Sequence, residues 1–258
     1  MTPALQTPDR VTAIILLVHI IVLFGCFVIL GAVFEFPDVL RYPAAERFSL
    51  FSANHQVIQS AYWALTMTGV TQMLFSVLLL HSARAQHLPV GTIALIFGVL
   101  AGFCQALGFG RWVILIPYLV AEAGVAENLD TAILLEGAFN RYSGMLVGEH
   151  LANIFWGIWL AAINIAFLKA TDLSRGLCWF GLALSPFLML LAGEQIGVSG
   201  EVLDPLVDFG FPLLAVWHIL LAIQLLRRRG GLSFPPLTLV SVSFAVMFGA
   251  GMIASALI

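Results

Sequence analysis

Apolar residues run through this chain in long blocks, and polar residues gather between them. A membrane-crossing helix needs roughly 20 apolar residues. Seven stretches meet that length, at about 11–34, 54–80, 90–110, 145–168, 176–196, 206–226 and 236–257. Helix breakers and charges fall between them, at Phe36-Pro37-Asp38, His87-Leu88-Pro89, Thr171-Asp172, Gly200 to Pro205 and Arg227 to Pro236. The first block follows Arg10, as in a secretory signal, but it exceeds the 7–15 residues of such a core and no small-x-small cleavage site follows. It is expected to be the first span. The pattern predicts an all-α integral membrane bundle of about seven helices, forming one polytopic domain over 1–258.

The segment 111–141 interrupts the rhythm. Arg111-Trp112 leads into an apolar run broken by Pro117, followed by polar Glu122 to Asp130 and then Thr131 to Asn140. Trp112, Tyr118 and Tyr142 favour the headgroup level. These residues, together with 35–52, are expected to lie as interfacial helical pieces over the outer mouth of the bundle.

Composition agrees with the pattern. The chain of 258 residues is 61% apolar and only 10% charged, against about 25% charged in soluble domains. A net charge of −3 without a basic tract gives no argument for nucleic acid, and none is expected as a partner. The lipid bilayer is the expected partner. Cys26, Cys104 and Cys178 sit in apolar runs without zinc spacing or an even disulfide framework.

Charge sets an expected orientation. Arg10, Arg84, Lys169, Arg175 and Arg227-Arg228-Arg229 fall on one side, and Arg41, Arg47, Arg111 and Arg141 on the other, seven against four. That bias predicts a cytoplasmic N-terminus and an outer C-terminus. The outer connections also collect Glu35, Asp38, Glu46, Glu122, Glu127, Asp130, Glu136, Glu201, Asp204 and Asp208.

Small residues recur at every fourth position in Gly98, Gly102 and Ala106, in Gly144, Gly148 and Ala152, and in Gly193 and Gly197. Membrane helices pack closely through such stripes. Pro186 is expected to kink the fifth span.

Chemistry is concentrated in Glu149-His150, inside the apolar stretch from Tyr142 to Leu168. Ionisable groups are costly in hydrocarbon, so they face a bundle interior or a wet cavity. Helical spacing puts Glu149, Asn153 and Trp156 on one face. Other spans bring His55, Gln59, Gln105, Arg111 and Glu194 to similar depth on the outer side, and Asn140 and Arg141, just before the Glu149 stretch, join the pocket candidates. A pocket for a small molecule, lipid or ion is one reading of this set. A pair that merely locks helices together is the other. A carboxylate and an imidazole can also relay protons if burial shifts them. No HExxH spacing exists, and neighbours on one helix rarely share an ion, so no metal site is assigned. His19 and His218 fall at matching depth in the inner half, and two facing imidazoles can hold a b-type haem; each can equally make an interhelical hydrogen bond. No cofactor is required by the sequence. There is no nucleophile motif with a plausible triad and no P-loop.

The run ALGFGRWVILIPYLV (Ala106 to Val120), then AFNRYSGMLVGEHLANIFWGIW (Ala138 to Trp159) and CWFGL (Cys178 to Leu182), resembles a bacterial multi-pass membrane family called domain of unknown function four-three-eight-six. The likeness extends over about residues 11–229, which leaves 236–257 as an added C-terminal span. It implies an all-helical protein of a bacterial inner membrane and no established activity. Three functions stay open: a binder or conduit for a small molecule at Glu149, an intramembrane enzyme or haem or quinone redox subunit, and a structural subunit of a membrane complex.

Overall fold

A computed structural model of the protein describes residues 7–170 and 173–228. Eight α-helices account for most of them: α1 (Thr7–Phe34), α2 (Ala44–Ala53), α3 (His55–Ser82), α4 (Pro89–Ala123), α5 (Leu129–Phe139), α6 (Ala152–Ala170), α7 (Arg175–Leu191) and α8 (Gly200–Arg227). Short 3₁₀ turns occupy Asp38–Arg41, Ala126–Asn128 and Ala192–Ile196. Between α5 and α6 the chain runs on as a π-helix, Asn140–Leu151. No strand is found among the described residues.

Among the described residues, six helices are long and apolar enough to cross a membrane, by length and composition: Asp9–Phe34, His55–Ser82, Pro89–Ala123, Ala126–Ala170, Arg175–Ile196 and Leu206–Arg227. They correspond in order to the first six expected spans. The seventh, 236–257, lies outside the described residues.

Aromatic and aliphatic side chains fill the bundle in two main clusters. One surrounds Phe75, Trp159, Phe167, Leu188 and Trp217. The other joins Phe34, Phe51, Tyr62, Trp112 and Ile116. Tyr62 stacks on Trp112 with ring centroids 5.0 Å apart, and Phe34 meets the same indole edge-on at 5.0 Å. Large apolar side chains such as Ile14, Trp63, Ile114, Tyr118 and Trp179 remain more than half exposed on the outside of the bundle, as lipid-facing residues do.

The segment 111–141 departs from the expected flat pieces. Residues 111–123 continue α4, and Leu129–Phe139 runs without a break into the π-helix and α6. Pro117 fails to end α4 for a definable reason. It has no N–H to give the carbonyl of Val113, and Gln59 Nε2 of α3 supplies the missing donor at 2.8 Å. Pro186 of α7 is accommodated in the same way. Ser185 Oγ donates to Leu182 O, the carbonyl that the proline leaves without a donor, at 2.9 Å.

α2 packs where expected, across the end of the bundle. Phe48 joins Leu119 of α4 and Ala132 of α5 in a small cluster. Beneath it Arg47 and Glu136 form a buried, two-pronged ion pair, and Arg47 also donates to the carbonyls of Leu40 and Tyr42. This end of the bundle also carries the α7–α8 turn. Among the described residues it is the acidic end. The 82–88 connection, Ser174 and Arg228 mark the basic end, where Arg228 donates to Ser82 O and Ser174 N–H donates to Gln224.

Candidate functional site

Arg41 stands at the centre of the acidic end. Pro37 and the 3₁₀ turn Asp38–Arg41 turn the chain after α1 and carry the side chain back over the bundle. One edge of its guanidinium holds Glu194, with Nε 2.7 Å from Oε1 and Nη2 2.8 Å from Oε2. The adjacent edge holds Glu149, with Nη2 2.7 Å from Oε2 and Nη1 3.4 Å from Oε1. Only a planar guanidinium can grip two carboxylates along two edges. Glu149 therefore has companions from two other elements. Burial alone would lower the Arg41 pKa, but its hydrogen bonds to Glu194 and Glu149 outweigh that and hold it above the ordinary arginine range. The three side chains stay between 25% and 40% exposed, and the cluster keeps one negative charge in excess.

The π-helix shapes what surrounds the clamp. Its wider turn is uncommon and is frequently found at functional sites. Here it runs for 12 residues and contains both Glu149 and His150. It crosses α4 at the closest approach glycine allows: a Cβ on Gly108 would fall 2.6 Å from Gly148 Cα, and one on Gly148 2.8 Å from Gly108 Cα. One turn earlier, Gly144 makes room for the buried guanidinium of Arg111, whose Nη2 would lie 2.6 Å from a Cβ there. The Gly144–Gly148 stripe packs as its spacing predicted. Gly98 and Gly102 likewise press against Ser76 and Gly69 of α3. Gly193 and Gly197 do not. Gly193 touches Val198 within its own turn, and Gly197 is left-handed (φ 94°), ending the segment rather than packing it.

His150 leaves the clamp on a different face. Its Nδ1–H donates to Ala192 O at 3.0 Å, tying the π-helix to the end of α7. Together with Arg141, Met145, Leu146, Gln195 and Ile196 it lines an open cleft of about 380 Å³. Arg141 is exposed and donates to Gly137 O at 3.3 Å. Asn153 is half-buried just beyond the π-helix.

The remaining residues expected near Glu149 do other work. Arg111 donates to Gly108 O at 2.7 Å and to Asn140 Oδ1 at 3.0 Å, and lies over the Trp112 ring at 5.4 Å. Asn140 in turn donates to Leu40 O at 3.4 Å. This pair joins α4, the π-helix and the turn that carries Arg41. Gln105 donates to Thr68 Oγ1 at 2.9 Å deep in the α3–α4 contact. Gln59 serves the Val113 carbonyl, and His55 is exposed at the start of α3. Depth alone places these last three with Glu149. Their hydrogen bonds go elsewhere: Gln59 reaches from α3 to α4, and Gln105 turns from α4 toward α3.

Sequence reasoning overlooked Arg41 as a site residue. The available signal was an arginine on the side where arginine is scarce, in a short turn among acids. It also overlooked Thr68, Gln72 and Ser76, a buried polar stripe at every fourth residue of α3.

His19 and His218 do come together, with ring centroids 5.9 Å apart. They do not suit a haem. Phe75 lies 5.1 and 5.7 Å from the two rings, and Trp156 6.2 and 6.4 Å. Both aromatic side chains pack against the two imidazoles, where a macrocycle would need room.

No curated protein and no solved structure matches this chain. The sequence profile of one family does match, over residues 11–228, covering α1 to α8 and every residue of the clamp. The chain thus belongs to the family described as Domain of unknown function (DUF4386).

Proposed function

We propose that this protein binds a small amphiphile, a lipid or lipid-like molecule, at the outer surface of a bacterial cytoplasmic membrane. The N-terminus then faces the cytoplasm and the acidic end faces outward, in keeping with the excess of Lys and Arg at the basic end. One observation carries the reading: Arg41 gathers Glu149 and Glu194, the chain neighbours of His150 and Gln195, which line an open, half-apolar cleft. Met145, Leu146 and Ile196 offer an apolar wall, while His150, Gln195 and Arg141 offer polar contacts. Ligand sites combine these features, a mostly apolar lining with a few convergent polar groups. The unmatched negative charge of the clamp favours a headgroup that carries an amine.

A structural lock would need neither the cleft nor the extra carboxylate, since one Glu already satisfies one Arg. The test uses the full chain, purified in detergent and stripped of lipid, titrated with dihexanoyl phosphatidylethanolamine in a calorimeter. Saturable binding should weaken at least tenfold in Glu149→Gln, with the variant still inserted and folded. Equal binding by the variant contradicts the reading. A variant that never reaches the membrane makes the clamp a lock between helices instead.

A further inference from the structure

The lining of the cleft depends on the π-helix. In an α-helix the step from Arg141 to His150 would make roughly two and a half turns, and the two side chains would point to opposite sides. A π-helix instead closes its hydrogen bonds from residue i to i+5. Arg141 then stands one turn from Leu146, and Met145 one turn from His150. All four line the same cleft. The uncommon helix thus brings a guanidinium, two apolar side chains and an imidazole to one face. Gln195 and Ile196, from the 3₁₀ turn after α7, complete the lining.

Arg141 differs from the other arginines of the acidic end. Arg41 holds Glu149 and Glu194, Arg47 holds Glu136, and Arg111 is buried against Asn140 and Gly108 O. Among the described residues Arg141 meets only a backbone oxygen, Gly137 O of the preceding turn, at 3.3 Å, and it is exposed. Most of its N–H donors are left for another acceptor. A planar guanidinium suits a phosphate, which it meets through two parallel hydrogen bonds. The amide of Gln195 can add a neutral donor.

The cleft therefore presents charge of both signs. Glu149 and Glu194, next in the chain to His150 and Gln195, carry one negative charge beyond what Arg41 neutralises. Arg141, at the other end of the π-helix, carries a positive charge with no carboxylate partner among the described residues. A ligand of one sign is attracted by one of these groups and repelled by the other. A zwitterion satisfies both.

We propose that Arg141 and Gln195 form a phosphate subsite, so that the ligand is a zwitterionic phospholipid whose phosphodiester rests on Arg141 and whose ammonium reaches Glu149 and Glu194. This rests on the amphiphile reading above and names the headgroup that the site takes.

The experiment titrates the full chain, in detergent and stripped of lipid, with two ligands in a calorimeter. One is dihexanoyl phosphatidylethanolamine. The other is octylamine, which keeps an ammonium and an apolar tail but lacks phosphate. The phospholipid should bind the more tightly, by about tenfold or more, as a charge-assisted hydrogen bond provides. Arg141→Gln should cut that preference about tenfold, whereas Glu149→Gln should weaken both ligands and preserve it. Gln195→Leu should narrow the preference as well, and it decides the matter if Arg141→Gln does not fold. Equal affinity for the two ligands, or a preference that survives Arg141→Gln, overturns the subsite and leaves the amphiphile reading standing. Millimolar inorganic phosphate should leave the phospholipid bound; displacement by it assigns the subsite to the free anion and overturns the headgroup. If neither ligand binds the unaltered chain, the amphiphile reading falls and this proposal falls with it.

Discussion

Arg41 does what no other residue type could do at its position. Its two edges hold two carboxylates that would otherwise repel each other across the α6–α7 boundary. Arg41→Lys keeps the charge but loses the fork, so amphiphile binding should fall nearly as far as in Arg41→Ala, as the same calorimetric titration will record. The effect on stability should be small, about 1 kcal/mol or less, because the partners are partly exposed and water screens them. Gly148 sets the opposite balance. Gly148→Val forces the π-helix away from Gly108 and should destabilise the fold by about 1–3 kcal/mol, measured by denaturant unfolding in mixed micelles. At this scale the chain was partly legible. Glu149 and His150 announce themselves as charges in an apolar run. Arg41 does not, because its importance arises from a turn that brings it over helices distant in sequence.

Among the elements, the proline-bearing helices and the acidic-end cap follow from hydrogen bonding. Pro117 breaks the α4 ladder, and Gln59 repairs it from the neighbouring helix. Gln59→Leu should therefore cost about 1 kcal/mol, the range of interhelical hydrogen bonds in membranes. The same change made in a Pro117→Ala background should cost almost nothing, because that substitution restores the backbone N–H. A double-mutant cycle on these two positions measures that coupling directly. Arg47 and Glu136 behave differently because they are buried. Glu136→Leu leaves an uncompensated cation and should destabilise by about 3–5 kcal/mol, whereas Arg47→Met with Glu136→Leu should recover most of that loss. Hydropathy alone located every described span to within a few residues at its basic end. At the acidic end it cut short only the third and fourth spans, where Pro117 and the polar run Glu122 to Asp130 read as breaks. The repair of Val113 by a side chain from another helix is invisible in one sequence, and so is the π-helix, which packs on α4 through Gly108 and Gly148.

At the scale of the whole molecule, α4 is longer than a bilayer is thick. Its 35 residues extend about 52 Å at 1.5 Å each, against a hydrocarbon core of about 30 Å. Its acidic end, together with α5 and α2, is expected to stand beyond the hydrocarbon. A spin label at Glu122 should accordingly report contact with water-soluble relaxers, and one at Leu107 contact with lipid-soluble oxygen. The helical bundle itself was legible because hydrocarbon tolerates little else. Helix neighbours were not, since lipid-exposed and packed faces are equally apolar in the sequence. That is why depth gathered His55, Gln59 and Gln105 with Glu149, while the hydrogen bonds of Gln59 and Gln105 join α3 to α4.

The most direct test of the proposed site is an experimental density map of the full chain in a lipid nanodisc. Elongated density should lie along Met145, Leu146 and Ile196, with its polar end against Arg41, Glu149 and Glu194. A map in which protein side chains close that cleft, or in which Glu149 stands apart from Arg41, contradicts the proposed site.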